Sequence, residues 1–255
     1  MKVLRIRNQF NAPVYHEETV TSTMDVSRQL AENNEPHGTV ITADFQEAGR
    51  GRIHGRLWRM ERAQNLSFTV LLRYPRIESI PRALTLRAGL ALSLAIEDFA
   101  PLLKRKVFVK WPNDIIIGGK KAAGILCEAD GGNVHLGIGV NVMQKEFPGN
   151  LKERATSIFL EAWNEESGDR SFLLEKILFY IFNELENSNT DWKVRLEDRL
   201  FKKGEKIVFI DGAADSGREI NGKLAGITEA GELLIIPDGE THSLSFITGE
   251  LKLSV

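Results

Sequence analysis

Glycine pairs divide the region from Val107 to Val142 into short strand-like runs, and this pattern limits the possible folds more than any other feature. The runs, rich in β-branched and apolar residues, lie at 107–111, 115–117, 120–128 and 134–142. Gly118-Gly119 and Gly131-Gly132 separate the last three runs, and such pairs are typical of tight hairpin turns. The pattern predicts an antiparallel meander.

Small residues recur on the strands of this predicted meander. They are Ala122, Ala123, Gly124, Gly137 and Gly139. Glycine within a strand is typical of a bulge as well as of a close approach by a ligand. Lys110, Asp114 and Lys121 beside the same strands favour a ligand. A lysine neutralises charge at an anionic reacting centre, and a carboxylate at a turn holds Mg²⁺ or orients an amine.

A second segment rich in glycine and arginine follows a predicted strand at Thr39–Thr42. Its residues are Gly49, Arg50, Gly51, Arg52, Gly55, Arg56, Arg59 and Arg62. Glycine lets the backbone approach a ligand closely, and arginine forks suit carboxylate and phosphate oxygens. Five like charges this close repel one another unless anions lie among them. The segment therefore predicts an anion-binding loop that is mobile when empty, and the alternative is a solvated basic loop.

Two nucleotide-binding motifs are excluded. The run Gly49-Arg50-Gly51-Arg52-Ile53-His54 has histidine in place of the third glycine of a dinucleotide fingerprint, and no amphipathic helix follows. No run matches a P-loop. A nucleotide that binds here binds in another way.

Net charge, cysteine content and apolar runs limit the partners and the cellular location that this chain can have. A net charge of -2 over 255 residues predicts no specific DNA binding and no attraction to anionic membranes. The single cysteine, Cys127, excludes an internal disulfide and suits a reducing cytoplasm. The start is not typical of a signal peptide, and no apolar run approaches membrane-spanning length. Exposed sheet edges are compatible with a homodimer.

The other predicted elements complete an α+β fold. Helices are predicted at 24–31, capped by Ser22 or Thr23, and from Pro81 to about Leu103. A third helix is predicted from Ser171 to about Leu200, with Phe172 on its apolar stripe. From Gly204 short strands alternate with turns at Asp211-Gly212, Asn221-Gly222, Ala230-Gly231 and Asp238-Gly239. We therefore expect a catalytic domain over 1–200, with a mixed sheet and helices, and a small SH3-like barrel over 201–255.

Four ordered motifs carry a family resemblance: GRGR with a following GRxW, then KWPND, GKKxAGIL and GxGxN. Together they resemble the biotin protein ligases, whose catalytic domain is similar to class II synthetases. The resemblance covers about 14–141, and the tail with Ile247-Thr248-Gly249-Glu250 is similar to the family's C-terminal barrel. Some members carry an N-terminal helix-turn-helix, for which motifs beginning near Ser22 are expected to leave no room. The chain departs from the pattern at Met24, where asparagine is common, and at Ile53-His54, which lengthens the loop by one residue.

The resemblance implies a role for each matching position. Biotin-binding positions are Ser22, Thr23, Gln46, Arg50, Gly51, Arg52, Lys121, Gly124, Gly137 and Gly139. ATP-binding positions are Arg50, Arg52, Trp58, Asn113, Lys121 and Asn141. Catalytic candidates are Lys121, Arg52, Asp114 and Lys110, with Asp114 also the candidate for Mg²⁺. Lys120 is the rival of Lys121, but strand alternation points the two to opposite faces.

The implied activity is formation of biotinyl-5'-AMP from biotin and ATP, followed by transfer to a lysine of a biotin carboxyl carrier protein. Attack of a carboxylate on a phosphate brings negative charges together, so positively charged side chains that hold the two groups should promote the reaction. A lipoate or other carboxylate ligase is the alternative, although the arginine-glycine motif of lipoate ligases is absent. A non-enzymatic RNA- or nucleotide-binding module is disfavoured by the weakly acidic net charge.

Overall fold

The computed structural model describes residues 1–53, 55, 57–58, 61–149, 151–162, 169–187, 191–212 and 217–252. Within them the strands form an eight-stranded and a five-stranded sheet. The larger sheet contains β1 (Lys2–Val3), β2 (Val14–Val20), β3 (Thr39–Gln46), β4 (Leu66–Arg73), β5 (Phe108–Lys110), β6 (Asp114–Ile117), β7 (Lys120–Asp130) and β8 (Asn133–Val140).

The larger sheet is mixed, with the order β1-β2-β3-β4-β8-β7-β6-β5. β2 and β3 run parallel, and the other neighbouring strands of this sheet run antiparallel. Parallel neighbours need a crossover connection, which α1 supplies between β2 and β3. The helices are α1 (Thr23–Glu32), α2 (Leu84–Phe99), α3 (Leu151–Arg154), α4 (Ile158–Ala162), α5 (Arg170–Leu185) and α6 (Trp192–Glu197).

The predicted meander is confirmed by β6, β7 and β8. Gly118 and Gly119 turn the first hairpin with φ of 57° and 77°, the left-handed conformation that favours glycine. Gly124 pairs with Gly139 across β7 and β8, so two residues without side chains lie opposite each other. The sheet thereby gains a shallow face at this point.

The long helix α2 packs in the core against α5 and β7. It begins at Leu84 rather than at Pro81, because Ala83 has a left-handed φ of 53° and cannot continue a helix. Pro101 ends it, since the residue before a proline avoids helical geometry, and a 3₁₀ turn follows at Pro101–Leu103. By length and apolar composition the stretch Ile77–Phe99 would suffice to cross a membrane, but its contacts are those of a core helix.

The predicted helix from Ser171 to Leu200 is two helices, α5 and α6. The Asp169 side chain caps α5 by accepting from the backbone N–H groups of Ser171 and Phe172. Phe172, predicted to lie on the apolar stripe, is exposed, whereas Leu174 is buried in the core. The sequence periodicity therefore identified the correct helix but misplaced one edge of its buried face.

The smaller sheet is entirely antiparallel and has the order β12-β11-β10-β9-β13. Its strands are β9 (Lys206–Asp211), β10 (Arg218–Ile227), β11 (Leu233–Pro237), β12 (Leu244–Phe246) and β13 (Glu250–Leu251). Five short antiparallel strands agree with the predicted SH3-like barrel. The turn predicted at Asn221-Gly222 is wrong, because both residues lie inside β10. A Cβ atom on Gly222 would come within 2.4 Å of the Ile236 carbonyl oxygen, so this glycine permits close strand approach.

Candidate active site

All ten sequence-predicted biotin positions line one narrow slot on the larger sheet. The residues are Ser22, Thr23, Gln46, Arg50, Gly51, Arg52, Lys121, Gly124, Gly137 and Gly139. The slot has a volume of about 60 Å³, and Trp58 and Asn113 are among the other residues that line it. Four separate segments of sequence therefore meet at one place: the start of α1, the end of β3 with the arginine loop, the β5–β6 turn, and the β7–β8 pair.

Hydrogen bonds fix the α1 end of the slot. Ser22 caps α1 by accepting from the backbone N–H of Met24 at 3.3 Å. The backbone N–H and the hydroxyl of Thr23 both donate to Gln46 Oε1, at 2.8 and 3.1 Å. The buried Thr69 hydroxyl in turn donates to Thr23 Oγ1 at 2.9 Å. Sequence reasoning missed Thr69, because a threonine in an apolar strand carries no distinguishing signal.

Glycines form the floor of the slot, and two large side chains lie directly on them. A Cβ atom on Gly137 would meet Met24 Sδ at 3.0 Å, and one on Gly139 would meet the Trp58 ring at 2.4 Å. The indole nitrogen of Trp58 is buried without a hydrogen-bond partner among the described residues. An unpartnered N–H in a polar cleft is costly unless a ligand accepts from it.

Lys121 occupies the junction of the slot with two larger cavities, of about 860 and 470 Å³. Its ammonium nitrogen lies 2.6 Å from an Asp114 carboxylate oxygen and 5.9 Å from the centre of the Trp58 ring. Lys120 turns elsewhere, because its ammonium donates to the Lys152 carbonyl. The structure thus brings Lys121, and not Lys120, to the slot.

The predicted ATP positions divide between the cavities. Asn141 lies on the 860 Å³ cavity together with Trp58 and Lys121. The Asn141 amide donates to the Thr156 carbonyl at 2.9 Å, which holds the segment after β8 against the chain that precedes α4. Asn113 lies on the slot and on the 470 Å³ cavity, and its amide donates to the Ile125 carbonyl.

Lys110 and Asp114 line the 470 Å³ cavity with Arg52 and Lys121. Lys110 is buried, and burial lowers the pKa of its ammonium group, although the Asp114 and Glu250 carboxylates oppose that shift. Its nitrogen is 3.8 Å from Asp114. Asp114 therefore faces two ammonium groups, an arrangement that repels a further cation.

The role of Asp114 as a Mg²⁺ ligand stays a prediction, and in this structure both carboxylate oxygens lie near lysine ammonium groups. No cluster of three or more His, Cys, Asp or Glu side chains that could hold a metal occurs among the described residues. Of the two roles predicted for this carboxylate, its geometry favours orienting an amine over holding a metal.

Side chains of the arginine loop are paired with the protein, contrary to the prediction that only a bound anion would offset their repulsion. Arg50 pairs with Asp25 at 2.6 Å, and Arg52 donates to the Gly249 carbonyl at 2.8 Å. Arg62 donates to the Glu18 carbonyl and lies over the Phe45 ring. Arg56 and Arg59 lie outside the described residues. Asp25 and Gly249 were missed because both partners are distant in sequence.

Comparison with known proteins identifies the family to which this chain is similar. Residues 17–144 match the Biotin/lipoate A/B protein ligase family. The Bifunctional ligase/repressor BirA of Bacillus subtilis is 39% identical over 174 residues, or 65% of this chain and 51% of the relative. The Biotin–[acetyl-CoA-carboxylase] ligase of Paracoccus denitrificans is 30% identical over 76% of this chain and 82% of the relative. The chain thus spans about half the length of the Bacillus protein but most of the Paracoccus one.

Solved structures extend the likeness to both sheets. The biotin protein ligase from Aquifex aeolicus, in complex with biotin and ATP, superposes with a TM-score of 0.76 at 30% identity. The superposition covers 94% of this chain and 97% of the Aquifex chain. The family match, the similar relatives and the shared structure together show that this chain belongs to the Biotin/lipoate A/B protein ligase family, among the biotin protein ligases.

Proposed function

We propose that this protein is a biotin–[acetyl-CoA-carboxylase] ligase. It condenses biotin with ATP to form biotinyl-5'-AMP and pyrophosphate. It then transfers the biotinyl group to one lysine of a biotin carboxyl carrier protein and releases AMP. The observation that carries the proposal is the position of Lys121, whose side chain borders the narrow slot and both larger cavities.

The slot suits the substrate from end to end. At the α1 end, Ser22 and Thr23 carry hydroxyl groups and Gln46 carries an amide group, which match the polar ureido ring of biotin. The glycine floor admits a flat ring, and Lys121 with Arg52 lies where a carboxylate would end. A slot with a polar head, an apolar floor and a cationic end fits an amphiphilic carboxylic acid.

The first step joins a carboxylate to the α-phosphate. A biotin carboxylate oxygen attacks the α-phosphorus, and the bond to the bridging oxygen of pyrophosphate breaks. Both reactants are anionic, so Lys121 and Arg52 stabilise the crowded charge and hold the reacting atoms close. Asp114 holds the Lys121 ammonium group in place, since the two groups are 2.6 Å apart. We treat Mg²⁺ as part of the ATP substrate and assign no residue to it.

The second step needs a neutral amine. The acceptor lysine nitrogen attacks the carbonyl carbon of the mixed anhydride, AMP leaves, and the amine loses a proton. The 470 Å³ cavity reaches Lys121 from the side of Asp114 and Lys110, and we assign it to the acceptor amine. Positive groups around this entrance favour the deprotonated form of an incoming amine.

Biotin-dependent exchange of labelled pyrophosphate into ATP tests the first step. Purified protein is expected to exchange label with biotin and not with lipoate. Exchange with lipoate alone would overturn the proposal and assign the protein to the other branch of its family. Absence of exchange with any carboxylate, in protein that binds ATP, would exclude an adenylating enzyme.

Mass spectrometry of a carrier domain tests the second step. With biotin and ATP, one lysine of an isolated biotin carboxyl carrier domain should gain one biotinyl group. A carrier domain with that lysine changed to arginine is the control and should gain none. Equal labelling of both would mean that the adenylate diffuses away and that no specific acceptor site exists.

A further inference from the structure

The arginine loop has a stem, and Arg50 lies in it. Arg50 forms an antiparallel bridge with Leu57, and the Trp58 N–H donates to the Gly49 carbonyl at 2.9 Å. The two limbs of the loop are therefore tied together at 49–50 and 57–58. A contact that holds Arg50 holds both limbs, including the Trp58 ring over Gly139.

The Arg50 side chain turns towards α1. Its Nη2 atom lies 2.6 Å from Asp25 Oδ1. Asp25 is in the first turn of α1, directly after the slot residues Ser22, Thr23 and Met24. This contact joins the loop to the helix whose beginning forms the polar end of the slot.

Asp25 is itself held by a second arginine. Arg28 Nη1 lies 3.2 Å from the same carboxylate oxygen, and Arg28 Nη2 bonds to the Glu128 carboxylate on β7. The charges alternate along Glu128, Arg28, Asp25 and Arg50. This chain connects β7, α1 and the loop, which are three of the elements that line the slot.

These side chains are each about a third exposed, and isolated ion pairs at that exposure stabilise little. Ion pairs contribute more to stability when they form a network with defined geometry, because each side chain orients the next. The contact also commits Arg50 to a carboxylate of the protein. Arg52 and Lys121, whose own protein partners are the Gly249 carbonyl and Asp114, both line the 470 Å³ cavity, whereas Arg50 does not.

We propose that Asp25 is a positioning residue that, through Arg50, holds the stem of the arginine loop at 49–50 and 57–58 over the biotin slot. The inference rests on the proposed function for its ligand, and it assigns Arg50 to loop closure rather than to ATP. Asp25 touches neither substrate. Its loss should therefore weaken biotin binding and leave ATP binding unchanged.

Three single variants test the proposal. Asp25→Asn removes the charge at constant size, Asp25→Glu restores it one methylene further out, and Glu32→Gln removes an exposed charge from the same helix as a control. Hydrogen exchange across 47–53 is measured on ligand-free protein. The KM values for biotin and for ATP come from pyrophosphate exchange.

Asp25→Asn should speed exchange at 49–53 and raise the KM for biotin by about fivefold, the effect expected of one ordered ion pair. The KM for ATP should stay within about twofold. Asp25→Glu should recover part of the change, and added salt should move the wild-type KM for biotin towards that of Asp25→Asn.

A double-mutant cycle separates the contact from an effect on the helix, because a carboxylate in a first turn also stabilises the helix dipole. Arg50→Met combined with Asp25→Asn should change the KM for biotin no more than Arg50→Met alone. Additive effects would overturn the proposal. So would hydrogen exchange in Asp25→Asn equal to that in Glu32→Gln. A wild-type protein without biotin-dependent activity would refute the proposed function instead, and the ligand-free exchange experiment would still decide the loop contact.

Discussion

Lys121 and Asp114 lie on adjacent strands with the lysine ammonium 2.6 Å from a carboxylate oxygen. The pair stands where the slot meets the cavity that Lys110 also lines. A lysine held in this way needs no rearrangement when negative charge develops at a phosphate, and such preorganisation is the main source of electrostatic catalysis.

Replacing Lys121 by alanine is expected to slow adenylate formation by roughly 10- to 150-fold, since a charge-assisted hydrogen bond contributes about 1.5–3 kcal/mol. Lys120→Ala is the matched control and should be much milder, because Lys120 bonds to the Lys152 carbonyl. Single-turnover formation of biotinyl-AMP measures both. Equal losses would show that the two lysines had been assigned the wrong way round.

Changing Arg52 to glycine removes the hydrogen bond from the arginine loop to the Gly249 carbonyl. The variant should still form the adenylate, although more slowly, and release it early, because the loop loses its contact with the residue before β13. Released adenylate acylates any exposed lysine, so biotin should appear on added serum albumin. Arg62→Gln, in the same loop but paired with Glu18 and Thr19, is the control. Albumin labelling no greater than with that control would contradict the prediction.

A methyl group on Gly139 would lie 2.4 Å from the Trp58 ring. Gly139→Ala should therefore displace the indole and raise the KM for biotin at least about tenfold, within the roughly 1–3 kcal/mol typical of overpacking. Gly124→Ala tests the same floor with a softer neighbour, since the nearest atoms belong to the flexible end of Lys121 at 3.2 Å. Trp58 fluorescence and the KM for biotin should change more in Gly139→Ala than in Gly124→Ala. The reverse order would contradict the contact between the Trp58 ring and Gly139.

His135 should make folding stability depend on pH. The ring is buried, and its Nδ1 atom is 2.8 Å from the Ser27 hydroxyl. Burial lowers the pKa of the ring, and the positive charge of Arg28 lowers it further. The carboxylates of Asp130 and Glu128 oppose this shift. The unfolded chain, with a histidine pKa of about 6.5, takes up a proton before the folded protein does. Stability is thus complete above that value and falls as pH drops towards the lower folded pKa.

The predicted loss is at most about 1.4 kcal/mol for each pH unit within that window. Urea unfolding at pH 7 and pH 5 measures it in the wild type and in His135→Gln. The wild type should lose more stability between the two pH values than the variant. Identical losses would mean that His135 titrates normally.

Much of the fold was predictable from local pattern. The glycine pairs at 118–119 and 131–132 identified the meander because few other residues adopt a left-handed conformation at so little cost. A cap at Ser22 or Thr23 was predictable, since a hydroxyl before a helical pattern meets the free N–H groups there, and the structure assigns the cap to Ser22. The same local logic failed at Asn221-Gly222, where the glycine serves a neighbouring strand rather than a turn.

The ordered motifs also predicted residues that the structure brings together around the slot. The partners of those residues were not predictable in this way. Asp25 pairs with Arg50, Thr69 bonds to Thr23, and the Gly249 carbonyl accepts from Arg52. In each pair the two residues are far apart in sequence. A hydrogen bond between distant segments leaves no periodic signal, so only the folded chain reveals it.

The motifs of the sequence by themselves predicted Lys121 for the site, with Lys120 as its rival, together with the glycines around it. Tertiary structure decided which lysine faces those glycines. Strict alternation along β7 places Lys120, not Lys121, on the face of Gly124. In the observed pairing Ile115 lies opposite Ala123 and Ile116 opposite Lys121, so β7 contains one extra residue, Ala122. This bulge brings Lys121 to the face of Gly124, and its ammonium nitrogen lies 3.2 Å from the position that a Cβ atom on Gly124 would occupy. A bulge depends on how two strands pair, and pairing exists only once the sheet has formed.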